Sequence, residues 1–213
     1  MRTRTERGSL WELAVLALLR EEPMHPYQMQ RLLRERREDQ VLGLKRGSLY
    51  HAIHRLTRSG LIEVVETGRQ GRRPERTTYR LAAHGERELV RRLRERLATP
   101  QADPSEFMGS ISFLVHLSPK DAAAQLELRR ETLERQREGL AAGLRMVRRN
   151  VDRVHLIEIE YQIAMIEAEL EWMRGRISEL RSGRFSWDLT KILRGVRAAR
   201  RKGAQEGRAR HDR

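Results

Sequence analysis

Apolar residues recur along the chain in changing rhythms, and each rhythm predicts an element. Leu10, Leu13, Ala14, Leu16, Ala17 and Leu18 make most sides of one segment apolar, which predicts a helix from Ser9 to about Arg20, buried on more than one side. Ser9 suits its N-cap, because a hydroxyl there accepts from a free backbone N–H of the first turn. Glu21-Glu22-Pro23 breaks the helix. His25-Pro26-Tyr27 opens a second, since proline fits a first helical turn, and Met29, Leu32 and Leu33 give it an inner face. His25 reads as structural at that helix start. A third helix follows from Gly47 to Ser59, where Leu49, Ala52, Ile53 and Leu56 share one face and His51, His54, Arg55 and Arg58 the opposite one. Gly60 stands where a helix ends in the left-handed region. The period then changes: Leu61 to Glu66 reads as a strand, Gly68 to Pro74 as a glycine- and arginine-rich loop tip, and Thr77, Thr78, Tyr79 and Leu81 as the returning strand. Three short helices and a basic hairpin predict a winged helix-turn-helix.

Downstream the pattern is helical throughout. Leu89, Val90, Leu93 and Leu97 continue a fourth helix that starts near Ala83. The polar stretch from Thr99 to Pro104, with two prolines, reads as a domain boundary. Phe107, Ile111, Leu114 and Val115 predict a helix ending near His116, and Ser118-Pro119-Lys120-Asp121 is a strong helix start. In that next helix Leu126, Leu133, Leu140 and Val147 lie seven apart. The most regular run is Leu156, Ile159, Ile163, Ile166, Leu170, Met173, Ile177 and Leu180, spaced alternately by 3 and 4. Such heptads predict a coiled-coil seam, taken here as the dimerisation surface. Ala164, Ala168 and Trp172 form a second stripe, so two neighbours are expected. Tyr161 and Trp172 are read as core packing ahead of ligand-pocket lining. Trp187, Leu189, Ile192, Leu193 and Val196 suit one more short helix, and the residues beyond it read as disordered. The expected fold class is mainly α: a winged helix-turn-helix domain with its linking helix over 1–98, an α-helical, coiled-coil-like dimerisation and effector domain over 99–190, and a basic disordered tail over 191–213.

Charge sharpens the picture. The net charge is +14, and it is uneven. Residues 45–80 hold nine Lys and Arg against three Asp and Glu, whereas residues 120–181 hold twelve of each sign. Residues 191–213 hold nine against two. A localised basic footprint is the mark of phosphate binding. The tail reads equally as a nonspecific DNA arm or a solubilising end.

Several chemistries find no support. Without cysteine there are no disulfides, thiolate metal sites or cysteine nucleophiles. His51 and His54 are spaced for shared ligation, yet no acid lies on their face, so no metal is expected. Ser48 near His51 lacks an acid to orient the histidine and an oxyanion motif, so neither an enzyme nor a cofactor is expected. The Gly68–Pro74 stretch lacks the ending of a nucleotide loop. With no long apolar run and no apolar leader, a cytoplasmic protein that avoids membranes is expected.

Three stretches carry a resemblance: ELAVLALLREEPMHPYQMQRLL, then LKRGSLYHAIHRLTRSGLIE, then GRQGRRPERTTYRLAAHG. Over residues 9–90 the chain resembles the PadR family of bacterial transcriptional regulators, and EYQIAMIEAELEWMRGRISELRSG is similar to the C-terminal region of its longer members. The resemblance implies a winged helix-turn-helix, a homodimer joined through C-terminal helices, and repression relieved by a small-molecule effector. It offers Ser48, Tyr50, Arg72 and Arg73 as DNA contacts. His51 stands where many relatives have proline, so its role is not carried over. From the helical face and the wing together, the expected double-stranded DNA contacts are Lys45, Arg46, Ser48, Tyr50, His51, His54, Arg55, Arg58, Arg69, Arg72, Arg73 and Arg76. Arg55 and His51 are expected to read base edges and Arg72 and Arg73 to hold phosphates of a pseudo-palindromic operator. The alternative from a different class is an architectural or nonspecific DNA-binding protein.

Overall fold

Ser9 caps α1 (Leu10–Glu21) by accepting from the Glu12 backbone N–H at 3.2 Å. All but one residue of this helix are buried, Glu12 and Glu21 among them. His25 caps α2 (Pro26–Glu35), its Nδ1 accepting from the Gln28 N–H at 3.2 Å. α3 (Gly47–Arg58) buries Leu49, Ala52, Ile53 and Leu56, the expected inner face. It ends in a Schellman turn. Gly60 has a φ of 67°, its N–H donates to the Thr57 carbonyl, and the Leu61 N–H reaches back to the Leu56 carbonyl, both at 2.9 Å. In the computed structural model, the described residues are 9–36, 38, 47–68, 76–100 and 103–211.

β1 (Ile62–Gly68) pairs antiparallel with β2 (Arg76–Leu81), from Ile62 against Leu81 to Gly68 against Arg76, with a bulge between Val64 and Glu66. Met24 adds one rung of a third strand: its N–H and carbonyl exchange hydrogen bonds with Tyr79 at 3.0 and 3.1 Å. The hairpin is thereby tied to the turn between α1 and α2. α4 (Ala83–Ala98) begins against the end of α3, where Gly85 faces the Leu61 carbonyl so closely that a Cβ would stand 2.1 Å from its oxygen. Three helices, a hairpin and a further helix make the expected winged helix-turn-helix order.

α5 (Pro104–Ser112) is capped by Asp103, which accepts from the Ser105 N–H at 2.9 Å; the Ser105 hydroxyl first, and then this bond, lower the Asp103 pKa. A single 3-10 turn, Leu114–His116, follows. Ser118 and Pro119 start α6 (Pro119–Val147) as expected, with Ser118 accepting from the Asp121 N–H at 3.1 Å. A second 3-10 turn precedes α7 (Ile157–Ser182), which Gly183 closes with a φ of 73°. The last helix is α8 (Leu189–His211). Two compact units result. One joins Met1–Leu93 with Asp103–Leu117 and Trp187–Arg213, and the other joins Arg94–Ala102 with Ser118–Ser186. Residues 103–117 and the C-terminal segment therefore group with the winged domain, which differs from the linear division at residues 98 and 190.

Two sequence expectations change. Of the stretch read as a disordered tail, residues 191–211 lie in α8, where Leu189, Leu193 and Val196 recur as a half-buried stripe and Arg197 and Arg200 find carboxylate and carbonyl partners on α1 and the turn after it. The heptad stripe is the second. Leu170, Met173, Ile177 and Leu180 are buried within the single chain, where α6 supplies the partner with Leu126 and Leu133. Leu156 is buried as well, while Ile159, Ile163 and Ile166 are half-buried. From Leu170 to Leu180 the seam is the inside of a helical hairpin. Tyr161 and Trp172, read as core, are 65% and 41% exposed.

Among the described residues no helix is long and apolar enough to cross a membrane, and no cluster of His, Asp and Glu has the placement of a metal site. His116 is buried. Burial first, then the Arg20 and Arg36 guanidiniums, holds its imidazole pKa down at about 3, from an ordinary 6.5, and its Nδ1 has no protein partner.

Replacing Gly85 with alanine is expected to lower stability by about 1–3 kcal/mol, since backbone must move to admit the methyl. Urea unfolding of Gly85→Ala checks this; an unchanged midpoint refutes it. For His116 the sign is fixed by linkage: between pH 6.5 and about 3 the unfolded chain binds a proton that the native state refuses. Native stability is therefore lost as pH falls below 6.5, by up to about 1.4 kcal/mol per pH unit. Glu88, held at about 2 chiefly by its hydrogen bond from Arg91, adds a separate loss only below its ordinary 4.5. His116→Leu should flatten melting temperature between pH 6.5 and 4.5 and leave the steeper fall below it.

Candidate nucleic-acid interface

A helix meets a duplex through the face that its own domain leaves uncovered. On α3 that face follows from the burial of Leu49, Ala52, Ile53 and Leu56 on the other side. Tyr50 is 58% exposed, and His51, His54, Arg55 and Arg58 are exposed beside it. Ser48, in the first turn, is half-buried. No Asp or Glu occurs from Lys45 to Gly60, so nothing on this helix repels a phosphate. Free N–H groups at its N-terminus add a positive end to the same surface.

Arg55 also has partners within the unit. It donates from Nε to the buried Glu12 carboxylate at 2.5 Å, and from Nη2 to the Ser9 hydroxyl at 3.3 Å. Arg92 of α4 completes the carboxylate from the other side at 2.6 Å, and also donates to Glu88 at 2.7 Å. Glu12 thus joins α1, α3 and α4. A carboxylate so buried requires cations, and this requirement commits Arg55 to holding the helix. Arg55, whose side chain stays 54% exposed, is thus a positioning residue as well as a member of the exposed basic face. The warning was legible: Glu12 interrupts the otherwise apolar run from Leu10 to Leu19.

On the wing, Arg80 pairs across the strands with Glu63 at 2.7 Å, both exposed. Such a surface pair contributes only about 0–1 kcal/mol. Arg76 pairs with Gly68 in the last described rung. Lys45, Arg46, Arg69, Arg72 and Arg73 lie outside the described residues. The structure thus brings Ser48, Tyr50, His51, His54, Arg55 and Arg58 together on one surface and ties Arg55 to the buried Glu12 as well.

In the same unit a recess of about 460 Å³ lies between the end of α1, the start of α4 and α8, with Leu19, Arg20, Leu81, Glu86, Leu193 and Arg197 in its wall. Arg20 spans it, donating to Glu86 at 2.7 Å and to the His116 carbonyl at 2.8 Å.

The Glu12 framework makes a measurable statement. Arg55→Ala and Arg92→Ala should each destabilise the protein by about 1–2 kcal/mol, because one cation remains on the carboxylate. The double variant should lose more than the sum of the two, and adding Glu12→Gln should recover much of the loss. Additive losses in urea unfolding would show that Glu12 is not shared.

Residues 15–91 match the model of the Transcriptional regulator PadR-like family. Three solved structures illustrate what the chain is similar to. Bacillus subtilis PadR in complex with operator DNA has 20% identity, covering 79% of this chain and 98% of that one, with a TM-score of 0.36. The PadR-like transcriptional regulator BC1756 from Bacillus cereus has 18% identity, covering 81% and 99%, with a TM-score of 0.36. Bacillus subtilis PadR in complex with p-coumaric acid has 18% identity, covering 81% and 99%, with a TM-score of 0.35. No curated protein matches the chain.

Proposed function

We propose that this chain is a sequence-specific, double-stranded-DNA-binding transcriptional regulator of the PadR type, acting as a homodimeric repressor relieved by a small-molecule effector. The observation that carries the reading is the acid-free, exposed face of α3, backed by a buried ionic framework, within the segment that matches the family model. Residues near the N-terminus of a recognition helix reach base edges, while flanking contacts hold phosphate. Tyr50, His51 and His54 are therefore assigned to the groove, and Ser48 and Arg58 to phosphates. The wing cations Arg69, Arg72, Arg73 and Arg76, with Lys45 and Arg46, are assigned to phosphates on composition alone. The recess walled by Leu19, Leu81 and Leu193 suits an effector with an apolar body and a polar edge.

The dimer reading survives with a different surface. Once α6 occupies the inner face of α7, a second stripe is left exposed: Ile157, Tyr161, Met165, Ala168 and Trp172. A second copy presenting the same stripe covers it, apolar residues against apolar residues.

Competition binding at fixed salt tests the reading. One duplex drawn from genomic DNA should be preferred over bulk DNA by about 10³ or more. On that duplex His54→Ala should cost about 1–3 kcal/mol and far less on mixed sequence. Equal affinity for every duplex moves the conclusion to an architectural DNA-binding protein, and the absence of salt-sensitive binding removes both. For the dimer, Tyr161→Glu with Met165→Glu should yield a helical monomer by light scattering and circular dichroism. Met173→Glu, inside the hairpin, should unfold it. A double variant that remains dimeric places the interface elsewhere.

A further inference from the structure

The C-terminal helix is fixed to the winged unit by a series of specific contacts. The Trp187 indole N–H donates to the carbonyls of Val115 and Leu117, at 3.2 and 2.9 Å. Asp188 then accepts from the Lys191 N–H at 3.1 Å and starts α8. About two and a half turns on, Arg197 donates from Nε to the Glu21 carbonyl and from Nη2 to the Arg20 carbonyl, at the end of α1 where carbonyls lack helical partners. A cation is favoured there by the helix dipole. Arg200 spans two carboxylates, Glu21 at 2.7 Å and Glu22 at 2.6 Å.

Glu21 also fixes where this part of α8 lies. The same carboxylate accepts from Arg36 at 2.5 and 2.8 Å, and Arg36 is the residue that ends α2. Arg200 is therefore beside the end of the first helix of the helix-turn-helix. In such a motif the first helix crosses the phosphate backbone while the second enters the groove. Beyond Arg200, α8 continues through residues 201–211. At 1.5 Å per residue that is about 16 Å. The sequence of this run is RKGAQEGRARH, with Arg201, Lys202, Arg208 and Arg210 against Glu206.

We propose that residues 201–211 of α8 form a second, sequence-independent contact with the phosphate backbone of duplex DNA flanking the α3 footprint. The proposal rests on the DNA-binding reading above. Phosphate is favoured over a membrane or a protein groove because the run has no apolar residue larger than alanine. An interfacial helix needs bulky apolar side chains to bury, and a phosphate contact needs only cations on a positioned backbone.

The test uses the full chain and a variant of equal length, Arg201→Gln, Lys202→Gln, Arg208→Gln and Arg210→Gln. The probe is a mixed-sequence duplex of about 40 base pairs, with affinity measured across a salt series and log K plotted against log salt. Each phosphate contact contributes about 0.9 to the slope, so the variant should flatten it by roughly 2–4 and bind at least tenfold more weakly at low salt. A chain ending at Arg200 should behave like the quadruple variant. The ratio between the preferred duplex and mixed sequence should stay the same, since the lost contacts read no bases. Unchanged slope and affinity in both variants, with the full chain binding normally, overturns the α8 contact and leaves the DNA-binding reading intact. A full chain without salt-sensitive binding overturns both. Loss of preference for the selected duplex at an unchanged slope also overturns the proposal, because it would make the run a base reader.

Discussion

The winged unit depends on one buried negative charge. Glu12 sits in the first turn of a helix with almost no exposed surface, and a carboxylate in that position is tolerated only when cations and donors surround it. Arg55 and Arg92 supply them from α3 and α4. Hydrophobic contact alone permits α3 to slide along α1 at little cost, because aliphatic packing has no direction. Two guanidiniums on one carboxylate impose an angle and a register. The exposed face of α3 thus owes its aim to a carboxylate buried behind it. Glu21, at the other end of the same helix, plays a similar part for Arg36 and Arg200.

Much of this was readable in the chain. Ser9, His25 and Ser118 were identifiable as helix starts because capping is local chemistry, settled within three residues. The inner face of α3 and the alternation of the hairpin were equally local. What escaped the sequence was partnership. Glu12 pairs with a residue 43 positions away, and among 44 Lys and Arg no spacing rule selects Arg55. The heptads of α7 announced a seam correctly, but a seam does not say whose helix fills it. α6 from the same chain fills it around Leu170 and Met173, since a short connection holds that partner at high local concentration. The second stripe, Ala164, Ala168 and Trp172, was read as a second neighbour and is left exposed by this chain.

The C-terminal segment was misread for a related reason. Its glycines and arginines argue for disorder when taken alone. Arg197 and Arg200, however, meet two adjacent carboxylates and a helix end with free carbonyls, all of them about 175 residues earlier in the chain. Composition records which charges a segment carries and leaves out the counter-charges waiting for it. The same gap separates the basic composition of residues 45–80 from the part Arg55 plays within it.

The single rung between Met24 and Tyr79 has a consequence of its own. A two-stranded ribbon by itself is marginal in water and opens easily. Here the middle of β2 is bonded on both edges, to Val64 on one strand and to the turn after α1 on the other. Opening the hairpin at Tyr79 therefore also breaks the junction between α1 and α2. In amide hydrogen exchange, the Tyr79 N–H should report the slow, global unfolding of the winged unit, while rungs nearer Gly68 exchange through local fraying. The wing behaves mechanically as a beam clamped at its root, so a force applied to its far end is delivered to the pair of helices that present α3.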